Sequence, residues 1–505
     1  MNIAEILKKE NVVQNHEGVK AFRMSPEQEL YTAVVTSAME PLTYEGTSER
    51  VNRIAALVGK VDPVFVAKLA VYARREMNLR SIPLVLLVEL ARIHSGDSLV
   101  PKAVAGTVLR ADEIAELLMC YQWLNPTKGI KKLGKLSRGI QNGLKESFNR
   151  FDEYQFSKYN RGGAVKLKDA LFLVHPKAKD EARQAIFDKI VAGTLDTPYT
   201  WETELSALGQ QHFDSPEAKA AAIRAKWEEL IESRKMGYMA TLRNLRNILD
   251  AGVSTAHIGR VCAYLSDPAQ VVRSKQFPFR FLSAYREIQR NPSAQTASVM
   301  TALEEAIAAS AENIVGFDAD TNVLIASDVS GSMHRPVSQK SIVDNYDVGL
   351  VLGMLLQSRC KSVVSGIFGD IWKVVNLPRT GILANTMTLR SLSNQVGFST
   401  NGYKVIDYLI ENKVKMDKVM VFTDCQMWDS CYADAHIRKS WEKYKEMYPD
   451  AKLYLFDLSG YGRSPLRLED GDVALVAGWS DKVFDIMAAI ERGADAVAEI
   501  NAISL

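Results

Sequence analysis

The chain is poor in the residues that mark secreted and membrane-spanning proteins. Its 505 residues include only five cysteines, and these show neither disulfide nor metal-ligand spacing, which is typical of a reducing cytosol. The N-terminus lacks the apolar core of a signal peptide. The longest apolar run, residues 82–90, is interrupted by Pro83 and Glu89 and is far too short to span a bilayer. We therefore expect a cytoplasmic protein without a membrane partner.

Arrangements of catalytic residues are also missing. The seven histidines are scattered, no nucleophile stands in a recognisable pattern with a base, and no glycine-rich loop of the phosphate-binding kind is present. The sequence therefore predicts a binding protein that is not an enzyme. A metal-dependent phosphodiesterase stays open as an alternative, because a bound cation can activate water.

What is present indicates a multidomain protein with two different halves. A chain of 505 residues is too long for one ordinary core, and 47% apolar with 24% charged residues is typical of folded proteins. The net charge of +2 indicates no class of partner by itself. Residues 1–24 are predicted to form an N-terminal extension, residues 25–318 a helical domain and residues 319–505 an α/β domain.

The helical half contains amphipathic segments in close succession. Ser48 precedes one segment, Asp62-Pro63 opens a second with proline at the first helical position, and Ser81 opens a third. Short loops between helices of similar length predict stacked antiparallel pairs, as in an α-solenoid of irregular repeats. Because no fixed-period repeat is visible, this prediction depends on the succession of helices alone.

In the C-terminal half, strand-like runs alternate with helical patterns, which predicts a mostly parallel sheet with helices on both faces. The predicted strands are 323–326, 362–368, 372–377, 419–422, 453–456 and 473–477, and the predicted helices are 342–357, 403–412, 435–447 and 482–491. Gly369-Asp370, between two adjacent runs, predicts a hairpin and hence one antiparallel edge strand. The break near residues 316–320 is the predicted domain boundary.

Polar residues follow two of these predicted strands. One strand ends in Asp328, with Ser330 and Ser332 behind it in the spacing D-x-S-x-S, another ends in Asp424, and Thr400 lies in a loop between them. Open α/β sheets bind ligands beyond the carboxyl ends of their strands, so we expect these residues to converge. Carboxylate and hydroxyl oxygens suit a hard cation such as Mg²⁺. The alternative is that they cap turns and helices without a metal.

This set resembles the metal-ion-dependent adhesion site of the von Willebrand factor A family. In that family the two serines bind the cation directly, and the threonine and the second aspartate bind it directly or through water. The resemblance implies a Rossmann-like von Willebrand factor A fold that holds Mg²⁺, or another divalent cation, with Asp328, Ser330, Ser332, Thr400 and Asp424. Such a site suits the capture of an acidic group from a partner, for example an exoribonuclease or another acidic-motif protein.

Residues 128–168 form a strongly basic segment in the helical half. Phosphate backbones attract such clusters, and interleaved aromatic rings suit stacking on unpaired bases. The alternative is a solvated helical face with core aromatics. Against three acidic residues stand eleven basic ones: Lys128, Lys131, Lys132, Lys135, Arg138, Lys145, Arg150, Lys158, Arg161, Lys166 and Lys168. The interleaved aromatic residues are Phe148, Phe151, Tyr154, Phe156 and Tyr159.

Part of this segment resembles the TROVE module of the Ro autoantigen family. That family has Lys-Tyr, a basic residue or two and a glycine, and then Lys-Asp-Leu-Leu with a histidine seventeen residues after the first lysine; Lys158 and His175 have this separation. Residues 239–245 and 275–280 resemble two further helix motifs of the family. Together with the α/β half, the resemblance covers about residues 25–500.

The resemblance implies a ring of HEAT-like helical repeats closed by the metal-binding domain, with small noncoding Y-like RNAs on an outer basic surface and single-stranded RNA ends in the central hole. The residues predicted to bind RNA are Lys128, Lys131, Lys132, Lys135, Arg138, Lys158, Tyr159, Arg161, His175, Arg243 and Asn244. At the family's next basic position this chain has Gly162, with Arg161 beside it. His175 has the alternative of a buried structural histidine, and Arg243 and Asn244 have that of binding neighbouring helix ends.

The function implied by the resemblance is that of an RNA-binding ribonucleoprotein component in small-RNA processing or quality control, which we expect to be a monomer. The alternative is a Mg²⁺-dependent protein-interaction scaffold that acts without RNA. RNA binding that weakens steeply with salt is the mark of the first function. Mg²⁺-dependent capture of a protein partner without RNA is the mark of the second. The two are compatible in one molecule.

Overall fold

The fold was analysed in a computed structural model, which describes residues 12–126, 135–160, 164–312, 314, 317, 320–428, 436–468 and 471–505. In this described part, no helix is long and apolar enough to cross a membrane. The chain forms two compact units, residues 1–50 with 237–499, and residues 51–236 with 500–505. The boundaries of these units differ from those of the predicted domains. The predicted domain bounds and the predicted ring of helical repeats remain predictions.

The first unit begins with a small antiparallel sheet that no sequence pattern indicated. Strand β1 (Val12–Gln14) pairs with β2 (Lys20–Arg23), and β2 pairs with the short, distant strand Arg463–Ser464. Helix α1 (Pro26–Val35) follows, with its first turn capped by the hydroxyl of Ser25. The N-terminal residues are therefore tied to the C-terminal half of the chain.

The second unit consists of helices joined by short connections. Its helices, including α2 which begins just before it, are α2 (Thr47–Val58), α3 (Pro63–Arg75), α4 (Ser81–Ile93), α5 (Leu99–Thr107), α6 (Asp112–Leu124), α7 (Arg138–Phe148), α8 (Glu153–Tyr159), α9 (Leu167–Val174), α10 (Glu181–Ala192), α11 (Trp201–Gly209) and α12 (Pro216–Glu232). As predicted, Asp62 caps α3, accepting a hydrogen bond from Val64 N at 2.7 Å, and Pro63 takes the first helical position.

A buried carboxylate helps to fix the succession of these helices. Glu113, near the start of α6, accepts hydrogen bonds from the backbone nitrogens of Leu109 and Arg110 at 2.8 and 3.1 Å. The same carboxylate pairs with Arg74 of α3 at 2.8 Å. One acidic side chain therefore satisfies two backbone amides of the turn before α6 and pairs with a cation of another helix.

Further helices belong to the first unit and precede its main sheet. They are α13 (Tyr238–Arg243), α14 (Leu245–Asp250), α15 (Thr255–Ser266), α16 (Pro268–Ser274), α17 (Pro278–Arg290) and α18 (Thr296–Ser310). From residue 26 to residue 310 the described chain is therefore helical between its turns. This confirms the predicted all-α half.

The main sheet confirms the predicted α/β half. Its strands are β3 (Asn322–Asp328), β4 (Ser362–Phe368), β5 (Trp372–Val374), β6 (Lys418–Thr423), β7 (Lys452–Asp457) and β9 (Val473–Ala477), while β8 is the strand Arg463–Ser464 of the small sheet. The strand order is β5-β4-β3-β6-β7-β9, all parallel except β5. The hairpin at Gly369-Asp370 makes β5 the antiparallel edge strand, as predicted. The core is centred on β6 and β7, where Phe422 stacks on Phe456 at 4.3 Å between ring centroids.

Helices alternate with the strands of the main sheet and follow its last strand. They are α19 (Asn345–Arg359), α20 (Ile382–Leu392), α21 (Tyr403–Glu411), α22 (Ile437–Met447), α23 (Val483–Glu491) and α24 (Ala496–Asn501). Four of these lie where helices were predicted, with ends that differ by at most three residues. The sequence pattern did not indicate α20 or α24.

A buried ion pair joins the last helices before the sheet to the helices on it. The guanidinium of Arg286 in α17 donates to both carboxylate oxygens of Asp347 in α19, at 2.7 and 2.6 Å, and both side chains are almost fully buried. Arg390 of α20 reaches the same carboxylate at 2.5 Å. Removing one charge of a pair at this depth is costly, because the other charge would stay buried without a counterion.

We expect Asp347→Ala to lower the free energy of unfolding by about 3–5 kcal/mol, because Arg286 would remain buried and unpaired. Urea denaturation of the full chain measures the change. The matched control is Asp485→Asn, which removes an exposed carboxylate paired with Lys482 at 2.8 Å and is expected to cost less than about 1 kcal/mol. Equal effects of the two substitutions would contradict the structural role of the buried pair.

Candidate functional site

The five predicted metal-binding residues meet at the carboxyl edge of the main sheet. Asp328 is the last residue of β3, and Asp424 directly follows the neighbouring strand β6. Both carboxylates are buried, each with 1% of its residue surface exposed. Ser330 and Ser332 lie in the turn after β3, with their hydroxyl oxygens 3.3 Å apart. This turn is a short 3-10 helix, residues 331–333.

The carboxylate of Asp328 is held on both oxygens. Oδ1 accepts a hydrogen bond from Ser330 N at 2.8 Å, which folds the turn back on the strand end. Oδ2 accepts one from the hydroxyl of Thr423, the last residue of β6, at 2.6 Å. The side chain of Asp328 therefore links the ends of the two strands from which the site is built.

The carboxylate of Asp424 is only half satisfied. Its Oδ1 accepts from Gln426 N at 2.9 Å, whereas its buried Oδ2 has no hydrogen-bond partner among the residues that the structure describes. Burial and the nearby Asp328 raise the pKa of Asp424 to about 8, and burial likewise raises the pKa of Asp328. Two buried carboxylates of like charge and one unmatched oxygen make this edge favourable for a cation.

Thr400 is brought to the same edge by its loop. Trp428 N, from the loop after β6, donates to the carbonyl of Thr400 at 3.2 Å, and Gly331 N, from the loop after β3, donates to the carbonyl of Phe398 at 2.8 Å. Thr400 itself is buried, with 4% exposed. The loop that carries Thr400 is thus hydrogen-bonded to both aspartate loops.

The conformation of this loop requires glycine at position 397. Gly397 has φ +77°, in the left-handed region, and a Cβ atom there would overlap the carboxylate of Asp370. That carboxylate accepts a hydrogen bond from Ser399 N at 2.8 Å, next to Thr400. The glycine therefore lets Asp370 hold the loop in place.

The donor set fits a hard divalent cation. Two carboxylates and three hydroxyls are oxygen donors of the kind that Mg²⁺ accepts beside water. The part of the chain that can be described contains no cluster of three or more His, Cys, Asp or Glu side chains, so any cation at this edge would depend on the hydroxyl groups.

Two N-terminal segments also reach this edge, and no sequence pattern indicated them. The hydroxyl of Thr43 donates to the carbonyl of Ser332 at 2.8 Å. The hydroxyl of Tyr44 donates to the side chain of Glu17 and lies near that of Ser332. Both segments belong to the first compact unit, together with the main sheet.

In the second unit, the end of α8 forms what we call the basic aromatic surface: Tyr154, Lys158, Tyr159 and Arg110. The ammonium of Lys158 lies 5.4 Å from the ring centroid of Tyr154 and 5.6 Å from that of Tyr159. Arg110, which was not predicted, places its guanidinium 4.1 Å from the ring of Tyr159. Tyr154 is 44% exposed. The guanidinium of Arg110 also pairs with Asp112 at 2.8 Å. A cationic group such as Lys158 beside an exposed ring suits a phosphate next to an unpaired base.

Other members of the basic segment have structural roles. Phe148, Phe151 and Phe156 are core residues, and the ring centroid of Phe156 lies about 6 Å from each of the other two, so for these three rings the alternative of core aromatics applies. The guanidinium of Arg150 donates to the carbonyls of Ala105 and Val108, both at 2.9 Å. The segment is therefore partly core and partly free surface.

A second group of the predicted RNA-binding residues lies around the end of α9. His175 is exposed and follows this helix in a left-handed conformation, so the alternative of a buried histidine was wrong. Gln141 of α7 donates to the carbonyls of Leu173 and Val174 at 3.3 and 3.2 Å, which brings the start of α7, with exposed Arg138, towards His175. Lys135 is also exposed. The predicted residues Lys128, Lys131, Lys132 and Arg161 lie outside the described residues.

Arg243 and Asn244, the last two predicted RNA-binding residues, have different surroundings. Arg243 lines a cavity of about 450 Å³ in the first unit, together with Arg280, Arg246 and Lys340. Desolvation in the cavity and the nearby Arg243 lower the pKa of Arg280. Asn244 is buried, and its amide is bonded to Ala240 O and to the side chain of Asn247. This placement favours the structural alternative for Asn244.

Comparisons with known families cover both halves of the chain. Residues 12–207 and 182–314 match the TROVE domain, and residues 322–490 match the Ro60 vWA domain. A crystal structure of the Deinococcus radiodurans RO (RSR) protein superimposes with a TM-score of 0.60 at 20% identity, over 93% of this chain and 100% of that one. The two proteins therefore share a fold.

Curated proteins of similar sequence include one bacterial and two mammalian relatives. The RNA-binding protein RO60 of Deinococcus radiodurans is 25% identical over 370 residues, covering 66% of this chain and 67% of that protein. Telomerase protein component 1 of Rattus norvegicus is 24% identical over 339 residues, or 52% of this chain, and that of Mus musculus is 25% identical over 322 residues, or 48%. The chain spans only 12% of the length of either mammalian protein.

We expect Gly397→Ala to destabilise the first unit by at least about 2 kcal/mol, because a left-handed alanine and a clash with Asp370 add together. The matched control is Gly493→Ala, which has φ +85° but open space around the added Cβ, and is expected to cost about 1 kcal/mol. Urea denaturation of the two variants compares the costs. A smaller cost for Gly397→Ala would show that the loop adapts easily.

Proposed function

Because the chain belongs to the TROVE family and carries a von Willebrand factor A domain of the Ro60 type, we propose that it is an RNA-binding protein that forms a ribonucleoprotein with a small noncoding, Y-like RNA. The observation that carries this proposal is the family match over residues 12–314. The similarity to a bacterial protein named RNA-binding protein RO60 supports it. We place the proposed complex in small-RNA processing or quality control.

The basic aromatic surface supports the proposal in physical terms. Lys158 carries a charge between two tyrosine rings, and one of these rings, Tyr154, is open to solvent. A lysine neutralises phosphate and releases counterions, while an exposed ring accepts an unpaired base regardless of its identity. Arg138 and His175, on α7 and after α9, add a second exposed group. Binding through these residues depends on backbone charge and on unpaired bases.

Single-stranded RNA ends are proposed to bind at the cavity that Arg243 lines. Four basic side chains surround this cavity, and its acidic side chain, Glu287, is paired with Arg246. The remaining positive charge suits a phosphate backbone, and the apolar lining suits a base. A flexible single strand fits a concave site of this size better than a rigid duplex does.

We propose Mg²⁺, or another divalent cation, as the cofactor of the edge formed by Asp328, Ser330, Ser332, Thr400 and Asp424. When bound, the cation supplies a Lewis-acidic position that takes a carboxylate from a protein partner, such as an exoribonuclease or another acidic-motif protein. The unmatched Oδ2 of Asp424 and the like charge of Asp328 are the observations that favour this site.

The second candidate function is a Mg²⁺-dependent protein-interaction scaffold without RNA, and the same buried carboxylate pair favours it. We further propose that the chain is a binding protein and not an enzyme, a monomer, and cytoplasmic. RNA hydrolysis by the purified chain that Asp328→Ala removes would overturn the non-enzymatic part. Light scattering and cell fractionation test the other two statements.

The double variant Lys158→Gln with His175→Ala is expected to bind RNA at least about tenfold more weakly at moderate salt, with a shallower salt dependence, because phosphate contacts are lost. The RNA is the one recovered with the protein by ultraviolet crosslinking from its own cells, and fluorescence anisotropy measures its affinity. The matched control is Lys226→Gln, whose ammonium is already neutralised by Glu204 and Glu229. Unchanged affinity at low and moderate salt would defeat the RNA assignment.

Mg²⁺ at about one hundred times its dissociation constant is expected to stabilise the protein by about 2.7 kcal/mol. Thermal unfolding with and without Mg²⁺ measures this, after removal of metal by chelation. Asp328→Ala is expected to lose the response, and Asp485→Asn, which removes an exposed carboxylate, is expected to keep it. Equal responses of the two variants would place the cation elsewhere.

A further inference from the structure

The N-terminal hairpin points its tip at the candidate cation site. Between β1 and β2, Asn15 N donates to Val19 O at 2.8 Å, and the side chain of Asn15 accepts from Val19 N at 2.9 Å. Gly18 has φ +77°, which permits this tight turn. The turn leaves His16 and Glu17 at the tip of the hairpin. We call residues 15–17 together with 43–44 the N-terminal cover.

The hairpin tip is bonded to the loop that carries Asp424. The amide of Asn15 donates to the carbonyl of Met427 at 2.7 Å, and His16 N donates to the side-chain oxygen of Gln426 at 2.9 Å. Gln426 in turn donates its backbone N–H to Asp424. The tip is therefore linked through Gln426 to Asp424, an expected metal ligand, although the two are more than 400 residues apart along the chain.

The second piece of the cover is bonded to the loop that carries Ser332. Thr43 donates to the carbonyl of Ser332 at 2.8 Å. The hydroxyl of Tyr44 donates to the carboxylate of Glu17 and lies near the hydroxyl of Ser332. One phenol thus lies between a carboxylate of the hairpin tip and an expected ligand of the cation.

Aromatic rings complete this cover. The ring of His16 lies 5.2 Å from that of Tyr44, parallel to it, and 5.2 Å from that of Tyr461. Tyr44 N donates to the hydroxyl of Tyr461 at 3.4 Å. Burial and then the carboxylate of Asp424 raise the pKa of Tyr461, which indicates that the rings lie within electrostatic range of the site. The cover is a packed layer attached to both aspartate loops.

We propose that the N-terminal cover closes the candidate cation site from within the chain, and that Glu17 holds the place of the carboxylate that a protein partner would bring. This inference rests on the cation site of the proposed function. The only acidic group of the cover accepts a hydrogen bond from Tyr44, and the neighbouring Thr43 donates to the carbonyl of Ser332, an expected ligand of the cation. An acidic partner must therefore displace the hairpin tip before it reaches the cation.

Two variants separate the charge of the cover from its attachment. Glu17→Gln keeps the size of the side chain and removes the carboxylate, whereas Tyr44→Phe keeps the ring and removes the hydroxyl that donates to Glu17. Glu27→Gln, in the first turn of α1, is the matched control for loss of one N-terminal carboxylate. Thermal unfolding confirms that each full-length variant is folded.

Two readouts test the proposal on the full chain. Mn²⁺ binding is followed by electron paramagnetic resonance, and a fluorescein-labelled tetraglutamate peptide is titrated in Mn²⁺ buffer. Glu17→Gln is expected to weaken Mn²⁺ binding by about tenfold, as loss of a supporting carboxylate does. Both Glu17→Gln and Tyr44→Phe are expected to bind the peptide at least about tenfold more tightly than the unaltered chain, because the cover competes less. Glu27→Gln is expected to change neither quantity.

The outcomes separate this inference from the proposed cation site. If the unaltered chain binds Mn²⁺ and Asp328→Ala does not, while peptide affinity is the same in all cover variants, the cation site stands and the cover proposal is overturned. If the unaltered chain does not bind Mn²⁺, the cation site fails and the cover proposal fails with it. Tighter peptide binding in the two cover variants, dependent on Mn²⁺, supports both.

Discussion

Two carboxylates buried side by side at one sheet edge are the constraint on which the site depends. Asp328 and Asp424 are each 1% exposed, and burial of like charges is costly unless hydrogen bonds or a cation offset it. Ser330 N, Gln426 N and the hydroxyl of Thr423 supply the hydrogen bonds. These bonds fix the turns after β3 and β6. Backbone N–H groups that follow the two strands then hold the loop of Thr400. The need to satisfy the carboxylates therefore shapes all three loops.

The site was predictable where its residues follow local rules. Asp328 and Asp424 end apolar strand patterns, and parallel neighbours must place their carboxyl ends at one edge. The D-x-S-x-S spacing lies within one turn. Thr400 was expected there from its loop between the two strands and from the family pattern, whereas the contact that holds it, from Trp428 in another loop, was not predictable. The small sheet was missed for a similar reason, since β2 is a four-residue strand whose partner lies some 440 residues further along the chain.

The basic segment shows what composition does not reveal. Composition alone does not distinguish Phe156 from Tyr154, yet Phe156 is a core residue and Tyr154 is 44% exposed. Arg150 is as basic as Lys158, but its guanidinium is used by two backbone carbonyls. Arg110 contacts the ring of Tyr159 from outside the segment, but its guanidinium is paired with Asp112 at 2.8 Å. Which charges remain available is decided by packing between helices, and no period in the sequence encodes that.

The free energy that holds the N-terminal cover in place bears on how RNA binding and metal-dependent capture of a partner would coexist. Its direct attachments to the aspartate loops are a few hydrogen bonds, each with a net contribution of about 0.5–1.5 kcal/mol, and His16 and Thr43 remain exposed. Three such bonds amount to roughly 1.5–4.5 kcal/mol, which lowers the apparent affinity of an outside ligand by about 10- to 2,000-fold. A partner with several contacts can offset that, whereas a single stray carboxylate cannot. Closure of this strength selects for partners that bind more than the cation, so a metal-dependent partner would need a surface of its own on the protein as well as an acidic group.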